Sequence, residues 1–320
     1  MPKGKSVIDM EPGDFFDPFE FTVTPELNQQ YCFAEEDFHP RYVIGSEGEK
    51  PIAHPGFMLN MSNSTKSPSH WMPPGYMGLQ AGEDNEFMGP FYEGEHFKVT
   101  WQIAKTWVDH GRIFRLTDTK VIDDDGNLRL RRFSKSGAYS KELAEERKKL
   151  EASGKKPKRP PALVDGEIQK SHRGLEIGVG RNAEIGDSFI GQSRVVAFER
   201  LTTFSGGPLS LVPEWPRVNH HTTHEYATDR GTRTIFASGT QYQGYLVAML
   251  IEMFGMDFLT TGKLDFKIIK IVFQDDVVTP GFTVTAKDET ADGVTYGVDI
   301  WTHNQDWHKT MIGGGTFTVK

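Results

Sequence analysis

The sequence contains a single cysteine, Cys32, among its 320 residues. One cysteine cannot form an intramolecular disulfide, and it excludes zinc and iron–sulfur sites that need several cysteine ligands. Basic residues are also outnumbered: 36 Lys and Arg stand against 44 Asp and Glu, which gives a formal net charge of −8. This balance argues against nonspecific binding to nucleic acid or to an anionic membrane, because both need a basic surface.

Long apolar segments are lacking as well. The longest run, residues 245–258, contains Glu252, Gly255 and Asp257, so it is too short and too polar to span a bilayer. The first residues, MPKGKSVIDMEPGD, lack the apolar core of a signal peptide. We therefore expect an acidic, cytoplasmic protein. Its length and its 37% of hydrophobic residues leave room for two domains.

One charged segment divides the chain. Residues 141–161, KELAEERKKLEASGKKPKRPP, carry eight basic and four acidic side chains and no aromatic one. A polar helix is expected over residues 140–152, and Gly154 and three prolines prevent its continuation. We predict a linker at 141–166 between an N-terminal domain (1–140) and a C-terminal domain (167–320). The alternative for this segment is a cationic patch that binds a nucleotide phosphate.

The two flanks of this segment resemble each other. Four matches occur in the same order in both halves, with offsets of 173, 179, 184 and 187 residues. They pair Tyr31 with Phe204, Tyr42 with His221, His54 with Ser238, and Gly94 with Gly281. A slowly rising offset is what a duplication with changed loop lengths leaves behind. The sequence therefore predicts an internal repeat.

Within each half the pattern indicates one helix among many strands. Residues 242–255, YQGYLVAMLIEMFG, are apolar around most of a helical surface, which indicates a helix buried on nearly all sides. Runs rich in β-branched and aromatic residues predict strands at 97–107, 112–122, 128–133, 264–273, 282–287, 294–303 and 311–319. A helix wrapped by an antiparallel sheet is an α+β arrangement, and two copies are expected here.

The segment from Asn219 to Gly239 carries three histidines within five positions: His220, His221 and His224. In a helix His220 and His224 would share a face, but the order differs from the HExxH pattern of zinc enzymes. A metal site is therefore not favoured. A single histidine that acts as a general base fits better, because imidazole titrates near neutral pH. His220 and His224 then remain surface or helix-capping side chains.

This segment resembles the MaoC-like (R)-specific enoyl-CoA hydratase/dehydratase family. The matching residues are His221, Tyr226-Ala227 and Phe236-Ala237-Ser238-Gly239, and the spacing from His221 to Gly239 is that of the family. In the first half the matches are Asp37 to Tyr42, with Tyr42 in the place of the histidine, and Ile52 to Pro55. The resemblance covers residues 20–135 and 170–320. It implies a double hot-dog fold: two repeats, each with a long central helix wrapped by an antiparallel sheet.

The resemblance also implies an activity, the interconversion of a 2-enoyl-CoA and a 3-hydroxyacyl-CoA. His221 is then the base, the N–H of Gly239 stabilises the thioester oxyanion, and Asn219 holds the water or orients His221. Tyr42, His54, Ala237 and Ser238 are expected to contact the substrate. An acyl-CoA is the expected partner and a homodimer the candidate assembly. No cofactor or metal is implied beyond the coenzyme A thioester itself.

One departure from the family is plain, because Pro216 stands where the family has its catalytic aspartate. The groups that remain as replacements are Glu214, His220, His224 and, from the first half, Asp37. Asp37 has a second interpretation as the N-cap of a helix that starts near His39. Two other functions stay open. One is an acyl-thioester-binding protein without catalysis, and the other is a hot-dog thioesterase that uses Glu225 or Asp37.

Overall fold

The computed structural model describes residues 4–46, 48–109, 112–140, 170–171, 179–206 and 218–320, together with positions 142, 145 and 149. Almost all of the predicted linker and of the helix predicted within 140–152 lies outside the described residues. The domain boundaries at 140 and 167 therefore stay a prediction.

The first half places three helices between its first strand and the rest of its sheet. Strand β1 (Phe15–Thr22) leads into α1 (Pro25–Glu35), α2 (Pro40–Val43) and α3 (Pro55–Met61). Each of these helices begins with proline, whose fixed φ suits the first helical position and whose missing N–H has no partner to lose there. A 3-10 turn (Ser64–Lys66) then precedes β2 (Tyr76–Phe87), β3 (His96–Asp109), β4 (Arg112–Asp123) and β5 (Leu128–Ser140).

The second half repeats this order. Short elements come first: β6 (Lys170–Ser171), a 3-10 turn (Val179–Asn182), β7 (Ser188–Ile190) and β8 (Arg194–Val195). The helices are α4 (Phe198–Gly206), α5 (His224–Thr228), α6 (Gly239–Phe254) and α7 (Phe258–Thr261). The remaining strands are β9 (Lys263–Ile268), β10 (Val277–Thr290), β11 (Gly293–His303) and β12 (Lys309–Val319).

The strands form one sheet that runs through both halves. Its order is β1-β3-β4-β5-β2-β9-β12-β11-β10-β7-β6, and β8 pairs with β10 beside this path. The halves meet where β2 pairs antiparallel with β9, in a register that places Asp84 opposite Asp265. Strands β9, β12, β11, β10 and β7 thus mirror β2, β5, β4, β3 and β1. The structure has the double hot-dog fold that the sequence predicted.

The helices agree with the offsets read from the sequence. Helices α1 and α4 begin at Pro25 and Phe198, 198 − 25 = 173 residues apart. The N-caps of α3 and α6 are His54 and Ser238, 238 − 54 = 184 residues apart. The match of His54 with Ser238 therefore falls on equivalent N-caps, and the match of Tyr31 with Phe204 falls on the seventh residue of equivalent helices.

Helix α6 is the long central helix, and every residue in it except Glu252 is buried. Burial of each large apolar side chain, such as Leu246 or Leu250, contributes about 1.5–3 kcal/mol. Its last residue, Phe254, packs 4.5 Å from the ring of Phe317 and 5.1 Å from that of Tyr296 on the sheet. This packing anchors the C-terminal end of α6 on the second half of the sheet. No described helix meets the length and hydropathy needed to cross a membrane.

The prediction of a long helix in each half was wrong for the first half, because α3 has only seven residues. The segment after it, SNSTKSP, is rich in side chains that hydrogen-bond to nearby backbone. The hydroxyl of Ser62 donates to the carbonyl of Met58, and the side-chain oxygen of Asn63 accepts from the N–H of Thr65. Such local bonds compete with helix continuation, so α3 stops where they begin.

Candidate functional site

The residues singled out in the sequence fall into two groups along α6. Asn219, His221, Ala237, Ser238 and Gly239 lie around its first turn. Asp37, Tyr42 and His54 belong to the first half, where a cavity opens against Ala248, Met249 and Glu252 of the same helix. Ten residues of helix separate Gly239 from Met249, which corresponds to roughly 15 Å. The structure therefore contains two candidate sites.

His221 lies in a turn that Asn219 holds in place. The side-chain oxygen of Asn219 accepts from the backbone N–H of His221 at 2.8 Å, and its amide nitrogen donates to the carbonyl of Ser205 at 3.3 Å. Asn219 is only 6% exposed. In this arrangement Asn219 positions the backbone of His221 and leaves the imidazole to another partner.

That partner is the backbone carbonyl of Phe236, 2.7 Å from Nδ1 of His221. A carbonyl only accepts hydrogen bonds, so Nδ1 carries the proton and Nε2 keeps its lone pair. Burial and the positive charge of Lys66 lower the pKa of His221, and the hydrogen bond to Phe236 raises it by less. The resulting pKa is about 4. His221 is thus a neutral imidazole at neutral pH, with Nε2 ready to accept a proton.

The two neighbouring histidines are placed differently. The ring of His220 stacks on Phe236 at 4.8 Å and meets the edge of His221 at 4.1 Å. Burial and the charges of His221 and Arg230 hold the pKa of His220 well below its usual value. His224 is exposed and begins α5, where Nδ1 lies 2.8 Å from the hydroxyl of Thr234. Glu225, the carboxylate of the thioesterase alternative, is also exposed on α5.

One of the residues weighed as replacements cannot be placed, and neither can Pro216. Glu214 and Pro216 lie outside the described residues. Within the described part of the chain, no group of three His, Cys, Asp or Glu side chains is arranged to hold a metal ion.

Gly239 is the first residue of α6, after Ser238 as N-cap. Its N–H is one of the first N–H groups of the helix. These groups have no acceptor within the helix and form the positive end of the helix dipole. The hydroxyl of Ser238 lies 2.9 Å from that of Thr240, and the N–H of Ala237 donates to the carbonyl of Val272. A side chain at Gly239 would overlap Gln80 and Ile268. A larger residue at this position would therefore require the ends of the Gln80 and Ile268 side chains to move.

In the first half, Asp37 follows a tight end of α1. Glu36 adopts a left-handed backbone with φ of 52°, and the N–H of Asp37 returns to the carbonyl of Cys32. Asp37 was considered as the N-cap of the next helix, but the structure gives that position to His39, with α2 starting at Pro40. The carboxylate instead accepts the backbone N–H of His39 at 3.1 Å through Oδ1.

The other oxygen of Asp37 faces His54. Nδ1 of His54 accepts from the N–H of Gly56 at 3.0 Å, so the ring proton is on Nε2 and is donated to Oδ2 of Asp37 at 3.3 Å. Burial favours the neutral form of Asp37, but the hydrogen bond from His54, the charge of Arg194 and the N–H of His39 outweigh it. The pKa of Asp37 is therefore held below its usual value.

Neither His54 nor Tyr42 can serve as a base here. Both ring nitrogens of His54 are engaged, and the side chain is fully buried. Tyr42, in the place of the family histidine, is 2% exposed and packs 4.8 Å from the His54 ring. Burial and the charge of Asp37 raise the pKa of Tyr42 well above its usual value. Tyr42 and His54, the residues matched to the motif in this half, thus leave Asp37 without a histidine of the motif that can act as a base.

This cluster borders a cavity of about 280 Å³ that residues from both halves line. Four of its charged side chains were missed in the sequence: Glu36, Arg41, Arg194 and Glu252. Arg41 lies inside the DFHPRY motif, so the motif itself could have indicated it. Arg194 and Glu252 come from distant segments, and no pattern in the sequence connects them to Asp37.

The topology and the two sites define the fold class, a double hot-dog with one continuous sheet. Solved structures share this fold over nearly the whole chain at low identity. A MaoC-like dehydratase matches with a TM-score of 0.71 and 14% identity, over 98% of this chain and all of the other. A MaoC domain dehydratase from Chloroflexus aurantiacus J-10-fl gives 0.68 and 10%, over 100% and 98% of the two chains.

A third similar structure is a Mycobacterium tuberculosis protein described as a double hotdog fold, with a TM-score of 0.63, 12% identity and coverage of 99% and 98%. No protein-family model matches the chain, and neither does any curated protein. The resemblance to MaoC-like dehydratases read from the sequence is thus confirmed at the level of the fold.

Proposed function

We propose that the protein adds water to a 2-enoyl-CoA thioester to give the 3-hydroxyacyl-CoA, or catalyses the reverse dehydration, with His221 as its proton-transfer group. The observation that carries the proposal is the bond from Nδ1–H of His221 to the carbonyl of Phe236. It fixes the tautomer in which Nε2 accepts a proton. His54, the other histidine of the matched motifs, has both nitrogens engaged.

Hydration at this site follows from that tautomer. Nε2 of His221 takes a proton from water, the water oxygen bonds to C3, and the electrons of the C2–C3 double bond move to the thioester oxygen. The imidazolium then returns its proton to C2, which completes the addition of one water. A low pKa makes His221 a weak base but makes its imidazolium a strong acid. The imidazolium formed in the first step is therefore the acid of the second step, so that one group serves both roles where Pro216 replaces the family aspartate.

The negative charge that develops on the thioester oxygen needs a hydrogen-bond donor to stabilise it. The N–H of Gly239 supports this role, because it opens the 16-residue helix α6 at its positive end. One preorganised donor of this kind is worth about 10²–10³ in rate. Phe236, whose carbonyl binds His221, lies three residues before Gly239. One short segment therefore supplies both the group that orients His221 and the donor for the thioester oxygen.

The experiment is a hydration assay on the full chain with but-2-enoyl-CoA and longer enoyl thioesters. The 3-hydroxyacyl product is identified by mass spectrometry, and free thiol is measured in parallel. His221→Ala is expected to lower kcat by about 10²–10⁴ with little change in KM. His224→Ala, an exposed histidine nearby, is the matched control and is expected to keep full activity. Equal unfolding curves for the three proteins exclude loss of fold as the cause.

Other outcomes would select the alternatives. Release of free thiol without a hydroxylated product would favour a thioesterase. Saturable binding of the thioester with neither product would favour an acyl-thioester-binding protein without catalysis. Full hydration by His221→Ala would place the proton-transfer group elsewhere in the chain.

A further inference from the structure

The cavity beside Asp37 lies roughly 15 Å from the first turn of α6 and takes no part in the proposed hydration. Its volume, about 280 Å³, suits a ligand smaller than a drug-sized molecule. It lies between the two halves: residues 36–42 form one wall, residues 191–194 a second, and the C-terminal half of α6 a third. A ligand here would therefore contact both repeats at once.

Two buried arginines line this cavity. Arg41 is 8% exposed and Arg194 is 6% exposed. Such side chains are rarely buried unless their charge is compensated. Among the described residues, no carboxylate lies within 4.0 Å of Arg41. Its guanidinium donates to the carbonyl of Ile251 at 3.1 Å and to Nδ1 of His39 at 3.3 Å.

In the described part of the chain, the guanidinium of Arg194 makes fewer hydrogen bonds than that of Arg41. One nitrogen donates to the carbonyl of Gln192 at 3.3 Å, and another lies 3.8 Å from Oδ2 of Asp37, which is beyond hydrogen-bond distance. Its buried Nε has no partner in the described structure. The ring of Tyr245 lies 4.8 Å from the guanidinium carbon and holds the group in place by a cation–π contact. The guanidinium is thus fixed at the cavity wall, and its Nε–H is left without an acceptor among the described residues.

The carboxylates of the cavity form no hydrogen bond to these donors among the described residues, and only Asp37 lies within ion-pair distance of Arg194, at 3.8 Å. Glu36 pairs with Arg200 at 3.2 Å, and Asp37 is bound to His54 and to the N–H of His39. Glu252 has no ion pair within 4.0 Å among the described residues, so it balances Arg41 only at longer range. Within the part of the chain that the structure describes, the cavity wall therefore lacks a hydrogen-bond acceptor that contacts both Arg41 and Arg194.

We infer that this cavity binds the carboxylate of a small organic acid through Arg41 and Arg194. A guanidinium matches a carboxylate in a planar, two-point geometry, which no neutral acceptor reproduces. The same carboxylate could belong to a free acid or to the far end of an acyl chain. The inference does not depend on the hydratase activity, since binding is measured without turnover.

The test is calorimetric titration of the full chain with butyrate and with succinate, and with butyramide as the neutral probe. We expect saturable binding of the acids at one site and none of butyramide. Arg194→Met and Arg41→Met are each expected to weaken binding by roughly 10–100-fold, as loss of a charge-assisted hydrogen bond does. Arg131→Met removes an arginine that pairs with Asp118 on the first-half sheet, and it should leave binding unchanged.

Two further variants keep the test decisive if a methionine variant unfolds. Arg194→Lys keeps the charge but loses the two-point geometry, so it should bind more weakly than the wild type while folding equally well. Glu252→Gln removes a negative charge from the wall and should tighten binding. Equal affinity for butyrate and butyramide, or unchanged affinity in all the arginine variants, would overturn the inference.

A competition arm distinguishes the two sources of the carboxylate. If the ligand is a free acid, butyrate at saturating concentration leaves hydration of but-2-enoyl-CoA unchanged, and an ω-carboxyl on the enoyl chain gives no advantage. If the ligand is the end of the acyl chain, enoyl thioesters with a distal carboxyl group are preferred and succinate competes with them. Either result retains the arginine site, and failure of the hydration assay itself affects only the proposed function.

Discussion

Nε2 of His54 donates to Oδ2 of Asp37 at 3.3 Å, and this bond joins the N-cap of α3 to the turn that ends α1. Asn28 supports the same junction, because its side-chain oxygen accepts the N–H of His54 and its nitrogen donates to the carbonyls of Tyr42 and Ile52. Asp37, which the sequence comparison matched to the family motif, thus joins the end of α1 to the starts of α2 and α3.

The first prediction concerns the stability that Asp37 provides. Asp37→Asn removes the charge that His54 and Arg194 favour, and we expect it to lower the free energy of unfolding at pH 7 by about 1–2 kcal/mol. The pKa of Asp37 is lower in the folded chain than in the unfolded one. Its contribution is therefore present above its unfolded value, near pH 4, and is lost as the pH falls through the lower folded value.

The measurement is urea unfolding of wild type and variant at pH 7 and pH 3. The difference between the two proteins should shrink at pH 3. Asp124→Asn is the matched control, because Asp124 also pairs with a histidine, His96, at 2.7 Å but is 73% exposed. Exposed pairs contribute little, so this control should unfold like the wild type at both pH values. Equal losses in both variants would contradict a specific role of Asp37.

The second prediction is the pH dependence of hydration. The sequence alone predicts a group that titrates near neutrality, but the structure lowers the pKa of His221 to about 4. The rate should therefore stay constant from pH 8 to pH 6 and fall only as His221 becomes protonated near pH 4. Lys66→Met removes a positive charge that lowers this pKa, so it should move the acid limb to higher pH.

The profile is measured as kcat/KM with circular dichroism at each pH, which separates titration of His221 from acid unfolding. An acid limb near pH 6.5 in the wild-type protein would show that the imidazole is not desolvated as the structure has it.

Much of the fold could be predicted from the sequence, and the reasons are local. Residues 242–255 are apolar around most of a helical surface, and the structure shows helix α6 there, beginning three residues earlier at Gly239. Strand β2 (Tyr76–Phe87) was missed, because two glycines and a run of acidic residues disrupt its alternation. Its pairing with both β5 and β9 makes it a strand, and pairing partners cannot be read from a local pattern.

The same distinction between local and long-range features applies to the two candidate sites. His221 and Gly239 stand in one motif, so the resemblance could indicate them. The tautomer of His221 depends on a carbonyl fifteen residues away, and the two arginines of the cavity beside Asp37 come from opposite halves of the chain. Such properties arise only when the chain is folded, because burial and long-range contacts set them.

The third prediction concerns Glu35, a carboxyl with no exposed surface and no hydrogen-bond partner for either oxygen among the described residues. Burial raises the pKa of Glu35 well above its usual value, and the charge of Arg194 only partly opposes this. The folded chain keeps Glu35 protonated while the unfolded chain releases the proton. Stability should thus fall by about 1.4 kcal/mol per pH unit above roughly pH 4.5, up to the folded pKa.

Glu35→Gln keeps the shape of the side chain and cannot ionise. Its free energy of unfolding should match that of the wild type near pH 4.5 and exceed it at pH 8. The measurement is chemical unfolding across this range, with Glu36→Gln as a partly exposed control of the same type next in the chain. A parallel pH dependence in wild type and Glu35→Gln would show that Glu35 ionises freely in the folded protein.

The fourth prediction concerns the crossing of the two central helices, where Gly244 of α6 faces Gly56 of α3. A Cβ placed on Gly244 would lie 2.8 and 2.9 Å from the two oxygens of Glu35 and 2.9 Å from the Cα of Gly56. Alanine would favour the helix by about 1 kcal/mol, but the overlap forces the helices apart. We expect Gly244→Ala to destabilise the chain by about 1–3 kcal/mol in total, as overpacking of a core does.

A double-mutant cycle with Glu35→Ala separates the two contacts. Removing the Glu35 side chain opens space for the new methyl group, so Gly244→Ala should cost less in that background than in the wild type. The part of the loss that persists belongs to the backbone of Gly56, which cannot move without shifting α3. Strict additivity of the two substitutions in urea unfolding would mean that Glu35 does not occupy the space between these helices.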